Sequence, residues 1–352
     1  MSKIKIASLF AGVGGIDLGF QQTKKFKTVY ANEIDEKASE TFNLNNSIEV
    51  DNRDIRDINP NEVPDFDVLL AGFPCQPFSV AGYRKGIEDE KNGDLFFEIL
   101  RFVKVKKPKV VFLENVKNLV GHDNGNTFKI IVESLEQYGY HLSTQVLNAC
   151  EYGNIPQNRE RIYIVAFKEF ENSFIFNFPN AIELNTTLYD LIDFDNKVDS
   201  KYYYTAEKFK HYDLLKENIT SNKTIYQWRR KYVRENKSNL VPTLTANMGT
   251  GGHNVPLILS KHGIRKLTPR ETFNIQGFPK DFMLPDQANS HLYKQAGNSV
   301  VVPVIKRIAD QIALVMTLDK NNKTINELSR LVEKNKEEKN YENDTSRKID
   351  IS

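Results

Sequence analysis

A cysteine bracketed by two prolines is the clearest candidate nucleophile in this chain. The run VLLAGFPCQPFSVAG reads as a buried strand that passes into Pro74-Cys75-Gln76-Pro77-Phe78-Ser79. Each proline fixes its own φ, so the loop is stiff and holds the Cys75 thiol at the strand's exit, close to an amide and a hydroxyl. An isolated cysteine is by default a small buried hydrophobe; the rigid flanks favour a nucleophile. A zinc deaminase signature would need a second cysteine where this chain has Phe78. Two more strand ends carry charge. KVVFLENVKNL sets Glu114 and Asn115 after an apolar run, and Gln157-Asn158-Arg159-Glu160-Arg161 enters RIYIVAF. Alternate residues of an extended chain share a face, so Arg159 and Arg161 could grip one carbonyl and one phosphate. Taken singly, Glu114 reads rather as a helix-start residue, and the arginines as partners of surface acids.

A ligand-binding loop lies near the start. IKIASLF ends in Phe10-Ala11-Gly12-Val13-Gly14-Gly15, and IDLGF then begins a helix. Glycines let a backbone approach a ligand, and a helix start offers unpaired N–H groups. The next strand ends at Glu33, where a carboxylate could hold the two hydroxyls of a ribose, and Asp54 in RDIRDI could meet an adenine edge. The spacing is G-x-G-G, not the G-x-G-x-x-G of nicotinamide enzymes. By itself the loop is also compatible with a tight turn.

The elements that would position these groups alternate. IKIASLF, KTVYANE, VLLAGF, KVVFLENV and RIYIVAF are separated by amphipathic stretches such as GDLFFEILRFVKVKK and TFKIIVESLEQYGY, which predicts a βαβ parallel sheet. Ligands of such sheets bind outside the carboxyl ends of the strands. From about residue 180 the pattern gives way to Tyr-, Lys- and Asn-rich sequence, the basic aromatic run YQWRRKYVRENK and the glycine-rich NMGTGGHN. The chain ends in an amphipathic helix and a charged segment, 318–352, expected to be a mobile tail.

Length and composition agree with this division. The 352 residues suit two domains, 40% hydrophobic residues suffice for a core, and no apolar run is long enough to span a membrane. The start lacks the pattern of a secretory signal, so a cytoplasmic location is expected. Two cysteines exclude a disulfide framework and, with six histidines, give no zinc spacing. The formal charge of +2 hides an uneven distribution: residues 201–266 hold 13 Lys and Arg against 4 Asp and Glu. A mildly acidic body with one basic segment fits a catalytic domain joined to a polyanion-binding module.

The ordered set SLFAGVGG, NEID, RDI, GFPCQPFS, FLENV, QNRERIY, RKLTPRETFNIQGFP and QAGNSVVVPV resembles the cytosine-5 DNA methyltransferases, over about residues 4–170 and 264–310. The resemblance implies an α/β, Rossmann-like S-adenosylmethionine-dependent methyltransferase domain with a second, smaller target-recognition domain. The catalytic domain would take residues 1–179, completed by 285–317, and the recognition domain 180–284, with 180–263 as the variable region. Cys75 matches the nucleophile that adds to C6, Glu114 the acid at N3 and the exocyclic amine, Arg161 the contact to the cytosine O2, and Arg159 its neighbour on the phosphate side. Phe10, Gly12, Gly14, Glu33, Ile34, Asp54, Pro74, Leu95, Asn298 and Ser299 match the cofactor pocket. Gln76, Ser79, Arg229, Arg230, Thr243, Leu244, Gly251 and Gly252 are the implied DNA contacts, with Tyr226, Trp228 and Lys231 suited to phosphates and sugars. The implied cofactor is S-adenosyl-L-methionine with no metal, and the implied partner double-stranded DNA, met by a monomer that flips its target base. A bacterial restriction-modification setting is the expectation.

Two positions depart from the family's pattern: Ala81 replaces a common second serine, which bears on DNA grip, and Asp94 is acidic where relatives are often neutral. A tRNA-methylating branch is disfavoured by Phe73 before Pro74-Cys75, where that branch has proline. An inactive DNA-binding scaffold would have no need of Cys75, Glu114 and the glycine loop together. A small-molecule methyltransferase would have no need of the basic segment.

Overall fold

The computed structural model describes residues 2–74, 95–249 and 255–318. Its first part runs β1 (Ile4–Leu9), α1 (Gly15–Gln22), β2 (Phe26–Asn32), α2 (Glu36–Asn45), β3 (Val68–Gly72), α3 (Leu95–Lys106), β4 (Val110–Val116), α4 (Asn126–Gln137), β5 (His141–Asn148), β6 (Gln157–Asn158) and β7 (Glu160–Phe167). Six of these strands form one sheet in the order β2-β1-β3-β4-β7-β5. The five anticipated strands are present, but the sheet is not wholly parallel. β2, β1, β3 and β4 are parallel neighbours, whereas β7 runs antiparallel to both β4 and β5. β5, HLSTQVLN, was not anticipated, because most of its side chains are only half-buried and no apolar run marks it.

The pleat sorts side chains into two apolar layers. Ala7, Leu69, Leu113 and Ile164 face α3 and α4, meeting Phe96, Phe102, Ile131 and Leu135. Their neighbours Ile6, Leu70, Phe112 and Val165 face the other way, onto Phe20 of α1. Phe20 packs edge-on against both Phe26 and Phe112, with centroids 5.0 and 5.3 Å away. Truncating so enclosed an aromatic costs about 3–5 kcal/mol.

The second part contains β8 (Ile225–Trp228), β9 (Val233–Asn236), β10 (Val241–Pro242), β11 (Leu257–Ser260), β12 (Gly263–Lys266), α5 (Pro269–Ile275), α6 (Asn289–Asn298) and α7 (Val302–Thr317). Four strands make an antiparallel sheet in the order β12-β11-β8-β9. β10 instead pairs with β6, so this part is stitched to the segment that leads into β7. Proline and a capping box formed by Thr268 and Glu271 start α5. The α7 helix returns to the first layer, where Ile305, Ile308 and Ile312 join Phe20. At Gly19 of α1 any Cβ would lie 2.6 Å from Ile305 Cβ, so this helix pair needs glycine there.

Candidate active site

At the carboxyl edge of the sheet a cavity of about 550 Å³ falls within the range of small-molecule sites. It is lined by Phe10, Gly12, Glu33, Ile34, Pro74, Leu95, Asn298 and Ser299 at one part and by Glu114, Arg159 and Arg161 at another. The loop after β1 is shaped for close approach. Phe10 and Gly12 both take left-handed conformations, at φ 55° and 56°, and Gly14 caps α1 at φ 81° with no side-chain cap. A Cβ on Gly12 would meet nothing within 4 Å, so glycine here leaves open space beside the backbone.

Glu33 is fixed from both sides. Its Oε2 accepts from the Gly12 N–H at 2.8 Å and its Oε1 from the Asp35 N–H at 2.8 Å. Burial raises its pKa, and the two N–H groups oppose that rise. Each oxygen keeps lone-pair capacity for a vicinal diol. Ile34, 61% exposed although large and apolar, offers a flat contact beside it. Asn298 and Ser299 end α6, and Ser299 Oγ sits so close to Gly15 that a Cβ there would approach to 2.5 Å. Asp54 differs from expectation. It is not among the residues lining the cavity; its Oδ1 caps the next turn through the Arg56 N–H and pairs with Arg56 Nε, both at 3.0 Å.

Glu114 lies near the end of β4, in register with Gly72 of β3 on one side and Tyr163 of β7 on the other. Arg161 Nε is 3.1 Å from its Oε1. Desolvation raises the Glu114 pKa, while the charges of Arg161 and then Arg159, and the Arg161 hydrogen bond, restrain the rise. A carboxyl group whose neutral form is favoured by burial suits proton donation. Asn115, its neighbour, donates from Nδ2 to the Phe73 carbonyl at 2.9 Å and so ties the outgoing end of β3 to β4.

Other expected residues separate into placed and unplaced. Cys75, Gln76, Ser79, Gly251 and Gly252 lie outside the described residues, as do Ala81, Asp94 and the tail from 319. Arg229 and Arg230 are exposed at the β8–β9 turn, with Arg230 at φ 63°. Tyr226 and Trp228 are buried, not surface contacts: the Tyr226 hydroxyl accepts from the Ser221 N–H at 3.0 Å, and Trp228 stacks on His211. Thr243 is exposed and donates to the Asn158 carbonyl at 2.6 Å. Leu244 is only 2% exposed, in a core cluster with Met248 and Tyr293. Arg159, expected on the phosphate side, is 3% exposed and directed at backbone carbonyls. His291, Lys294 and Gln295 of α6 also line the cavity and were not anticipated. The motif QAGNS pointed only to the end of that helix, yet its 3.6-residue repeat brings earlier turns to the same wall.

The sequence pattern of the C-5 cytosine-specific DNA methylases matches residues 4–314. The chain is 66% identical over 311 residues to the Type II methyltransferase M.Bsp6I of Bacillus sp. (strain RFL6), covering 88% of this chain and 98% of that one. It is 38% identical over 330 residues to M.HhaI of Haemophilus parahaemolyticus, covering 89% and 95%. Among solved structures, a mutant of Spodoptera frugiperda DNMT2 superposes with a TM-score of 0.66 at 19% identity, over 88% of this chain and 99% of that one. A putative DNA modification methyltransferase of an Escherichia coli prophage gives 0.63 at 22%, over 90% and 100%. At these identities the structures speak for a shared fold. With the pattern matched along nearly the whole described chain, this protein belongs to the C-5 cytosine-specific DNA methylases and is a DNA (cytosine-5-)-methyltransferase.

Proposed function

We propose that the enzyme takes a methyl group from S-adenosyl-L-methionine to C5 of a cytosine flipped out of double-stranded DNA, acting as a monomer at a short specific sequence. The observation that carries this reading is the single cavity that joins Glu33 and its loop to the Glu114–Arg161 pair. The residues fit the donor: Glu33 suits a ribose, Phe10 and Ile34 an adenine, and the open space at Gly12 with Asn298 and Ser299 the amino-acid end. When bound, the donor supplies an electrophilic methyl group.

The chain's own groups make C5 able to accept it. The Cys75 thiolate adds to C6, and the displaced electron pair moves through the ring to C5 and N3. Glu114 donates a hydrogen bond to N3 and takes one from the exocyclic amine, and Arg161 balances charge on O2. After transfer, a base removes the C5 proton and the C–S bond breaks, which returns Cys75. A stacked cytosine exposes neither ring face, so flipping precedes addition. Residues 1–179 with 285–317 serve as the catalytic body and 180–284 as the recognition domain. Protection of cellular DNA in a bacterial cytoplasm, as the modification half of a restriction-modification pair, fits such an activity.

The deciding experiment incubates the protein with unmethylated genomic DNA and S-adenosylmethionine and maps 5-methylcytosine at single-base resolution. One repeated short motif is expected, lost in Cys75→Ser while donor binding persists. Methylation of tRNA but not of DNA, or turnover by Cys75→Ser, would overturn the reading.

A further inference from the structure

Arg159 is a buried cation whose two terminal nitrogens donate to three carbonyls from two distant segments. Nη1 donates to the Leu244 carbonyl at 2.7 Å; Nη2 donates to the Gly297 carbonyl at 3.1 Å and to that of Ser299. Leu244 follows β10, in the segment that carries the exposed Thr243. Gly297 and Ser299 bracket Asn298, and all three line the cavity. Residues 241–249 do not line it.

Neighbouring groups close the same gap. Gln157 Oε1 accepts from the Leu244 N–H at 3.3 Å, and its Nε2 donates to the Ile275 carbonyl and to Gln276 Oε1, both at 3.0 Å. Gln276 Nε2 in turn donates to the Ala296 carbonyl at 2.6 Å. At Gly297 a Cβ would fall 2.2 Å from the carbonyl carbon of Thr245, so the backbones of the two segments are in direct contact. Since Arg159 stands two residues before Arg161 on the same extended run, the junction also touches the strand bearing the cation beside Glu114.

We propose that Arg159 is a positioning residue that couples occupancy of the methyl-donor cavity to the placement of the Thr243–Leu244 segment. This rests on the reading of the cavity as the donor site and of that segment as DNA-facing. A ligand held by Asn298 and Ser299 restrains the peptide groups that flank them. A close-packed interior transmits that restraint to Leu244 without slack. The planar guanidinium is what allows one side chain to serve several carbonyls; a lysine ammonium at the same place satisfies fewer of them. The coupling is reciprocal, so DNA engagement strengthens donor binding by the factor with which the donor strengthens DNA binding.

The test uses the full-length wild-type protein and S-adenosylhomocysteine without DNA. Hydrogen–deuterium exchange at residues 244–248 should slow several-fold on binding, although the ligand site lies elsewhere. At ligand concentrations that calorimetry shows to be saturating for each protein, that remote protection should vanish in Arg159→Lys. Likewise, the ligand should tighten DNA binding about tenfold in the wild type, inside the usual range of coupling, and less than about twofold in the variant. Ligand binding with no change at 244–248 in the wild type overturns the relay alone and needs no variant to fold. Failure of the ligand to bind overturns the cavity reading and the relay with it. A log–log salt slope for DNA binding that drops by about one in Arg159→Met, with the remote protection intact, would make Arg159 a phosphate contact and overturn the proposal.

Discussion

Glu114 and Arg161 come within 3.1 Å of each other because β7 runs against β4. Arg161 lies near the start of its strand, and only an antiparallel strand places its start at the carboxyl edge, where Glu114 lies two residues before the end of β4. The pair holds an acid whose burial favours the neutral form beside a cation that favours the charged one. Glu114→Gln keeps the shape and loses the proton. It should lower kcat by about 10²- to 10⁴-fold with DNA affinity little changed. Single-turnover methylation at saturating donor measures this, and a loss under about threefold would remove Glu114 from the role.

This pair also marks what the sequence could and could not disclose. Alternating apolar residues in RIYIVAF announce a strand but carry no sign of its direction, since a period of two is the same read either way. Strand direction follows from β5, whose eight residues pair along β7 and whose half-buried pattern hid it. The glycine loop, Glu33, Glu114 and Arg161 were legible because each follows or precedes a strongly patterned strand. Arg159 was legible as a residue of note but not in its partners. They lie 85 to 140 positions away, and hydrogen bonds to backbone carbonyls leave no trace in residue type. Tyr226 and Trp228 misled for a related reason: aromatic residues among arginines suit a DNA face, but in β8 they turn inward onto Leu215 and Leu257.

Asp17 is a buried carboxyl group in the first turn of α1, accepting from Ser8 Oγ at 2.8 Å and Thr28 Oγ1 at 2.9 Å. Desolvation pushes its pKa up to about 6, and the hydroxyl hydrogen bonds only partly oppose this. The folded state therefore holds this proton more tightly than the unfolded chain. The resulting stability is fully present below about pH 4 and is lost as pH rises through about 6. The change amounts to about 3 kcal/mol. Asp17→Asn should abolish this part of the slope, so wild type and variant should diverge between pH 4 and 6 in urea unfolding. Parallel curves would show that Asp17 does not titrate there.

Gly12 carries a left-handed φ of 56° with open space beside it in the cavity wall. Gly12→Ala should cost roughly 1–2 kcal/mol in backbone strain. Its methyl would also enter the space assigned to the donor. The expected kinetic result is a KM for S-adenosylmethionine raised about tenfold, equivalent to about 1.4 kcal/mol, with kcat within about twofold. A kcat loss with unchanged KM would place Gly12 away from the ground-state donor.

Arg265 is fully buried and pairs with Glu271 through Nη1 and Nη2 at 2.8 and 2.7 Å. Glu271 also accepts from the Asp193 N–H at 3.0 Å and the Thr268 N–H at 2.7 Å, and Arg265 donates to the Asp193 carbonyl. One ion pair thus joins β12, the start of α5 and the chain near Asp193. Removing one charge strands the other, so Glu271→Leu should destabilise by about 3–5 kcal/mol. Arg265→Met combined with Glu271→Leu should recover part of that loss in chemical denaturation. A double variant less stable than either single one would show that the hydrogen bonds to Asp193 and Thr268, not the paired charges, dominate.

Arg229 and Arg230 stand exposed at the turn between β8 and β9, where the Arg229 N–H donates to the Tyr232 carbonyl at 2.9 Å and closes the hairpin. The buried Trp228 anchors the strand behind them, so the two guanidinium groups project from a fixed base. If both neutralise phosphates, each releases about 0.9 of a counterion from duplex DNA. Arg229→Ala combined with Arg230→Ala should therefore flatten the log–log salt dependence of binding by about 1.8. A smaller drop of about 0.9 would assign one arginine to phosphate. If affinity falls without any change of slope, the hairpin acts through shape or base contacts. Those cases separate further on sequence, because a base contact relaxes discrimination at one position whereas a phosphate contact weakens all sites alike.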